Sequence, residues 1–335
     1  MKPESSTSVG LAYLRPDELD AYIDRFKDHV LGVIAFGNQL ATGQVDYPSA
    51  WVDMPVLGAS SVFEVWTSSE PVVLGKESGI ASACSGEALF GCLDVQQMAG
   101  ESLESATFRA YTGIFDFIDR SGYSHLLRIW NYFPGINANE SGLERYRSFN
   151  IGRHEAFVAK GRVIGEQSVP AACALGSSGG HMIIYFLAGR QAGRSIENPR
   201  QTSAYNYPEQ FGPRSPTFSR AMLVDFEHKL FISGTASIVG HETLHAGDIS
   251  NQTLETLANI RALLEQASPA AGEGGRAPRP LLKVYLKHPE HLSVVRAKLA
   301  EEFGAEVQAI YLQADICRTD LLLEIEGVCT CQNGK

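Results

Sequence analysis

Two stretches of this chain run through the same succession of elements, and that duplication limits the folds open to it. In the later stretch, residues 230–237 read as a strand ending in small side chains, followed by a polar, glycine-containing loop at 240–247. Asp248 is placed to cap a helix on which Leu257, Ile260, Leu264 and Ala267 recur at helical spacing. A Gly/Pro-rich loop over 268–280 leads to a strand at 281–286. A second helix carries Leu292, Val295, Leu299 and Phe303, and strands at 307–312 and 321–325 close the unit. The earlier stretch repeats the order: strand 88–93, helix from about 102 to 120, strand 126–132, helix from about 143 to 159, then strands 169–175 and 182–187. Strand runs mixed with two helices per unit predict α+β layers, each a mixed sheet with helices on one face, rather than a doubly wound sheet. The expected division is an N-terminal domain, 1–195, and a C-terminal domain, 196–335.

At 335 residues, with 44% hydrophobic and 20% charged side chains, the chain can bury two ordinary cores without metals or disulfides. A formal net charge of −10 argues against nucleic acid as a partner. A small anionic substrate would instead need a local arginine cluster. The six cysteines form no CxxC pair and no regular framework. The first ten residues are polar, without the apolar run of a signal peptide. The longest apolar stretch, near 181–188, is too short to span a bilayer. A cytoplasmic protein with free thiols and no membrane association is the expectation.

Two short motifs are set aside. His241-Glu-Thr-Leu-His245 has HExxH spacing, but glycines bracket it and the periodic helix begins only afterwards, so a polar loop is the better reading than a zinc site. Gly176-Ser-Ser-Gly-Gly180 has GxSxG spacing, but a strand follows it where a nucleophile elbow needs a helix; a hairpin turn accounts for it. The segment 194–220 is different: its tyrosines and arginines suggest a binding loop rather than a bland linker.

Near the C-terminus, Glu324 and Glu326 share one face of a strand whose other face carries Leu323 and Ile325. If that face is buried, desolvation raises a carboxyl pKa towards what a general acid needs; if it is exposed, both glutamates are ordinary. Aligning Gly189 with Gly327 sets Phe186 opposite Glu324 and Ala188 opposite Glu326, as though one unit kept acids that the other lacks. On the helix from 143, Tyr146, Asn150, Arg153 and Phe157 form one stripe, suited to the wall of an anion pocket with Arg153 gripping a carboxylate.

The second half resembles the RidA/YjgF family over residues 207–327, through Phe211-Gly-Pro-Arg-Ser215, Phe231-Ile-Ser-Gly-Thr235, Gly247-Asp-Ile249 with Gln252-Thr253 and Asn259-Ile260, Val284-Tyr-Leu286 and Leu323-Glu-Ile-Glu326. It departs from that family in having Gly-Pro-Arg-Ser for Gly-Pro-Tyr-Ser, and in lacking the arginine before the penultimate strand, where Phe303-Gly-Ala-Glu306 stands. The whole chain is more similar to the chorismatases, which carry tandem units of this kind. That resemblance is carried by Trp130-Asn-Tyr-Phe-Pro-Gly-Ile-Asn137, Tyr146-Arg-Ser-Phe-Asn150 with Gly152-Arg153, Ala204-Tyr-Asn-Tyr207, Gly212-Pro-Arg-Ser-Pro-Thr-Phe-Ser-Arg220, Ser233-Gly-Thr-Ala-Ser237 with Gly240-His-Glu-Thr243, and the Glu324 strand.

The resemblance implies cleavage of chorismate to pyruvate and a hydroxybenzoate, with Glu324 protonating the enolpyruvyl methylene. Cys317, seven residues before the acid, matches members that form 3-hydroxybenzoate; a second product, 4-hydroxybenzoate, stays open. Gly234 and Ala236 match pocket positions that influence product choice. Arg153, Arg214 and Arg220 are the candidates for the two substrate carboxylates, with Tyr146 and Tyr207 orienting the ring hydroxyl or a carboxylate. The chemistry implies no cofactor and no metal. Two alternatives accompany this reading: a RidA-like enamine or imine deaminase, against which Gly-Pro-Arg-Ser speaks, and a non-catalytic module binding an aromatic carboxylate. The chain is expected to be a monomer using the cleft between its units, or a homotrimer.

Overall fold

The apolar runs of the two repeats form two six-stranded sheets, and a four-stranded sheet precedes them. The computed structural model describes residues 9–38, 45–267 and 280–330. Its elements begin with β1 (Val9–Leu14), α1 (Pro16–Phe26), β2 (Val30–Gly37), β3 (Ser49–Val52) and β4 (Ser61–Ser68). The middle unit contains β5 (Val73–Glu77), β6 (Ile80–Ser85), β7 (Ala88–Val95), α2 (Leu103–Ser121), β8 (His125–Pro134), β9 (Asn139–Glu140), β10 (Leu143–Glu144), α3 (Arg145–Ala159), β11 (Ala171–Ser177) and β12 (Met182–Gly189). The C-terminal unit contains β13 (Arg194–Ile196), β14 (Ala221–Val224), β15 (Lys229–Thr235), β16 (Ile238–Val239), β17 (Glu242–Thr243), α4 (Ile249–Ala267), β18 (Leu281–Leu286), α5 (Leu292–Phe303), β19 (Ala309–Gln313) and β20 (Leu323–Thr330).

Both predicted repeats are present, strand for strand. In the C-terminal unit the neighbours run β15-β20-β18-β19, and in the middle unit β7-β12-β8-β11. In each, the pair flanking the second helix is parallel and the others are antiparallel. The N-terminal sheet follows the same path, β1-β4-β2-β3 with β2 and β3 parallel, but with no helix between those two strands among the described residues. It is a shortened third copy that the sequence did not announce.

Packing explains the three-fold repetition. Each sheet buries one face under its own helices: α2 and α3 on the middle sheet, α4 and α5 on the C-terminal one, α1 on the N-terminal one. The opposite faces meet in one shared core that draws Phe36 and Trp66, Trp130 and Tyr185, and Phe231 and Tyr285 from the three sheets. Strands buried on both sides read as continuous apolar runs.

Several expectations change in detail. Phe186 and Ala188 point into the helix-side core of the middle unit, whereas Glu324 and Glu326 face away from the helices of theirs. The alignment of Gly189 with Gly327 is therefore out of phase, since a one-residue slip exchanges the faces of a strand. The inward counterparts of the acids lie among Ile183, Tyr185 and Leu187. The GxSxG segment joins β11 to β12, but β8 lies between them, so it is a turn and not a hairpin. The HExxH segment lies on the small β16–β17 hairpin and the turn after it, with His245 at φ 58°, so the two histidines share no helical face. Asp248 does cap α4, accepting from the Asn251 backbone N–H at 3.1 Å. Residues 268–279 of the expected Gly/Pro-rich loop, and Cys331, fall outside the described residues. No helix among the described residues is long and apolar enough to cross a membrane.

Candidate active site

Where the middle and C-terminal units meet, they enclose a cavity of about 320 Å³. Three small residues of β11, Ala172, Cys173 and Ala174, form its floor, and Tyr146, Arg147 and Arg153 of α3 form one wall. The C-terminal unit supplies Gly234 at the end of β15, Glu324 of β20, the 317–320 turn and the segment from Tyr207 to Arg220. Ser233 stitches the units together: its hydroxyl accepts from the Ala172 backbone N–H at 2.9 Å and donates to the Ser219 carbonyl at 2.6 Å.

Glu324 owes its place to an irregularity in the sheet. The β15–β20 ladder breaks between Ile232 and Thr235, a bulge of the kind that re-aims side chains beside active sites. Gly234 sits in that break, and a Cβ there would fall 1.8 Å from Glu324 Oε1. Only glycine lets the carboxyl lie there. The carboxyl is 4% exposed, at the cavity's inner end. Burial pushes its pKa up to about 8, and the neighbouring Glu326 carboxylate adds to the rise; Arg128 and Arg220 pull the other way. At neutral pH it therefore carries a proton. Cys317 Sγ lies 4.0 Å from Glu324 Oε2, and its thiol is itself pushed up by burial and by Glu324, so it is an uncharged partner. Glu326 behaves oppositely: burial works against its charge, but Lys283 and Arg128 outweigh burial and hold its pKa below the usual value.

The cavity's cations are fixed by their own partners. Arg220 is 3% exposed, and its Nη2 donates to the Thr202 carbonyl at 2.7 Å and to Tyr207 Oη at 2.8 Å. Arg153 is 2% exposed, and its Nη2 donates to Asn150 Oδ1 at 2.9 Å. The Nε–H of each is buried and has no hydrogen-bond partner among the described residues. Both residues line the cavity, and a fixed guanidinium there is what an incoming carboxylate requires. Arg318 closes the rim, donating to the His241 carbonyl at 2.8 Å, with its guanidinium 4.2 Å from the Phe211 ring centre. Tyr146 is partly buried, and desolvation pushes its phenol up, so it remains a neutral hydroxyl.

The structure thus brings together Glu324, Cys317, Tyr146, Arg153, Tyr207, Arg220, Gly234 and Ala236 around one cavity. Arg214 is the exception: it is exposed and does not line the cavity. The loop turns after Gly212, which puts that side chain outside. Arg147, Arg318 and Cys173 were missed. Arg318 had a signal, standing next to Cys317, and so did Arg147, next to Tyr146; Cys173 was hidden in an apolar strand whose facing only the tertiary fold reveals. No group of three or more His, Cys, Asp or Glu among the described residues is placed to hold a metal ion.

Known proteins are similar to this chain in sequence and fold. Residues 64–188 match the family model described as Chorismatase FkbO/Hyg5-like, N-terminal. A protein of Streptomyces rapamycinicus named chorismatase is 40% identical over 96% of this chain and 98% of its own length. The chain belongs to the chorismatase family. A relative from Streptomyces hygroscopicus named 3-hydroxybenzoate synthase is 38% identical, covering 98% of this chain and 99% of its own. Among solved structures, a crystal structure of a chorismatase superposes with a TM-score of 0.86 at 34% identity, covering 97% of this chain and 99% of that one. The chorismatase fold therefore extends through all three sheets, the N-terminal one included.

Proposed function

We propose that the protein cleaves chorismate to pyruvate and 3-hydroxybenzoate, with Glu324 as general acid. The observation that carries this is a carboxyl kept protonated by burial, lining a cavity to which Arg153, Arg220, Tyr146 and Tyr207 also contribute, among small and apolar side chains and the acids Glu144 and Asp320. Chorismate is a dianion bearing an enol ether. Its two carboxylates match the guanidinium groups of Arg153 and Arg220; of the cavity's other arginines, Arg147 is paired with Glu144 at 3.3 Å and Arg318 stands at the rim beside Asp320. Glu324 delivers its proton to the terminal carbon of the enolpyruvyl group. That carbon becomes the methyl group of pyruvate, and the oxocarbenium-like centre left behind weakens the link to the ring. Aromatisation gives a proton back, so the products contain the atoms of chorismate and no water is consumed. A diene diol would need one.

Tyr207, held by Arg220, and Tyr146 orient the substrate from opposite walls. Cys317 stands against the acid and assists rearrangement to the aromatic ring, which supports 3-hydroxybenzoate as the main product; 4-hydroxybenzoate is the candidate second product. The acid belongs to a C-terminal domain, 196–335, that closes on an N-terminal domain, 1–195; the chain passes from one sheet to the other between β12 and β13. A monomer working through the cleft between its units is the proposed state, with a homotrimer as the alternative.

Purified protein is incubated with chorismate and the products are separated by chromatography. Pyruvate with 3-hydroxybenzoate is expected. Unconsumed chorismate would remove the function and leave the fold. In Cys317→Ala the product should shift towards the diene diol; an unchanged product ratio would reduce Cys317 to packing.

A further inference from the structure

Behind the acid, the three sheets meet in a buried set of charges that the proposed reaction does not use. Glu326 lies two residues along β20 from Glu324, on the same face. It accepts hydrogen bonds from Trp130 Nε1 at 2.9 Å and Tyr285 Oη at 3.1 Å, and pairs with Lys283 Nζ at 3.0 Å and with Arg128. Lys283 also pairs with Glu64 of β4 and donates to Tyr185 Oη at 2.8 Å. Glu64 in turn accepts from Trp66 Nε1 at 2.8 Å and Tyr185 Oη at 3.0 Å. All four charged side chains are at most 4% exposed. Burial raises Tyr132, Tyr185 and Tyr285 far above the ordinary phenol value, so they are neutral. The set holds two carboxylates and two cations, and it balances.

An ionised Glu324 would add a third carboxylate. The groups facing it are Glu326 on its own strand, Tyr285 on β18, Arg128 on β8, Cys173 on β11, Tyr146 on α3, Cys317 in the preceding turn and Arg220 across the cavity, while Lys283 lies opposite Glu326 and bears on Glu324 through it. Arg128 is shared with Glu326, and Lys283 is divided between Glu326 and Glu64. We propose that Glu64, in the N-terminal sheet, is a positioning residue for the reaction: by sharing the Lys283 ammonium, it leaves the Glu326 carboxylate less neutralised, and that carboxylate holds the neighbouring Glu324 in its uncharged form. It acts through Lys283 and Glu326 and touches neither the cavity nor the substrate. This rests on the reading of Glu324 as the acid. It also gives the shortened N-terminal copy a task beyond burying the shared core.

The sign follows from charge. Glu64→Gln leaves one cation in excess, which favours ionised Glu324 and lowers the pH at which its proton is lost. Lys283→Met leaves one carboxylate in excess and raises it. Glu64→Gln with Lys283→Met restores the balance.

The test is a titration of the Glu324 carboxyl band by difference infrared spectroscopy, each protein against the same protein carrying Glu324→Gln, without substrate. The alkaline limb of kcat/KM for chorismate is measured in parallel. Glu64→Gln should move both midpoints down by about one pH unit, the order expected for one uncompensated charge in a protein interior. At pH 8.5 its kcat/KM should fall several-fold, with little change at pH 6, which a merely structural lesion would not reproduce. The double variant should return both midpoints. If Glu64→Gln fails to fold, Lys283→Met carries the test, with midpoints moving up. An unmoved midpoint in whichever folded single variant is used overturns the inference. The two readings fail differently: without the chorismate activity the infrared shift persists and no pyruvate forms, whereas without the Glu64 effect pyruvate forms and the midpoint stays.

Discussion

The middle and C-terminal units trace one path through space, yet only the C-terminal one carries the acid. The inward face of β12 presents Ile183, Tyr185 and Leu187, and that of β20 presents Glu324 and Glu326. Each unit also has a glycine under its fourth strand. In the middle unit, a Cβ on Gly91 would come 2.4 Å from the Phe186 ring, on the helix side. In the C-terminal unit, Gly234 clears the inward side for Glu324. One glycine lets a core ring pack, and the other lets a carboxyl lie in a cavity. The two units share a scaffold, and a few side chains on one face of one strand separate a packing surface from the lining of a cavity. The middle unit still contributes, lending Tyr146, Arg147, Arg153 and the floor of the cavity.

That contrast can be broken deliberately. Gly234→Ala should displace the Glu324 carboxyl and lower kcat about 10²-fold with the fold retained, because misplacing a reacting group by about 1 Å costs on that order. Gly91→Ala should do the converse, lowering the melting temperature through a core overpacked by roughly 1–3 kcal/mol while the folded protein keeps its kcat. Equal effects of both on turnover would erase the distinction. Arg220→Gln removes the guanidinium proposed to bind a substrate carboxylate, and KM should rise about tenfold or more. It also removes a cation that opposes the raised Glu324 pKa, so the alkaline limb of kcat/KM should move to higher pH. A limb moving to lower pH would contradict the assigned electrostatics. Arg214→Gln, at an exposed position outside the cavity, should change kcat/KM by less than about twofold.

The repeats were legible because both units keep helical and strand periodicity with little insertion. The acid was legible because two glutamates interrupt an apolar strand at a spacing of two. The N-terminal copy was not, because the helix that marks the repeat is missing between β2 and β3 among the described residues. The phase of the internal alignment failed because a single shared glycine fixes no register when both faces of a strand are apolar. Arg214 was misplaced because it was chosen on motif proximity, whereas the course of the loop decides which arginine turns inward. Cys173, and the pairing of Glu326 with Arg128, 198 residues away, and with Lys283 on the neighbouring strand, depend on the facing of buried strands, which no local pattern encodes.

The central claim is that Glu324 is a buried, protonated acid that the middle unit has no counterpart for. The most direct test is the pH dependence of pyruvate release from chorismate by the wild type and by Glu324→Gln. For the wild type, kcat/KM should be lost as pH rises through about 8, because the folded acid gives up its proton there. Glu324→Gln should fold normally, release pyruvate about 10²–10⁴ times more slowly, and show no such limb. Undiminished pyruvate release by a folded Glu324→Gln protein would contradict the account.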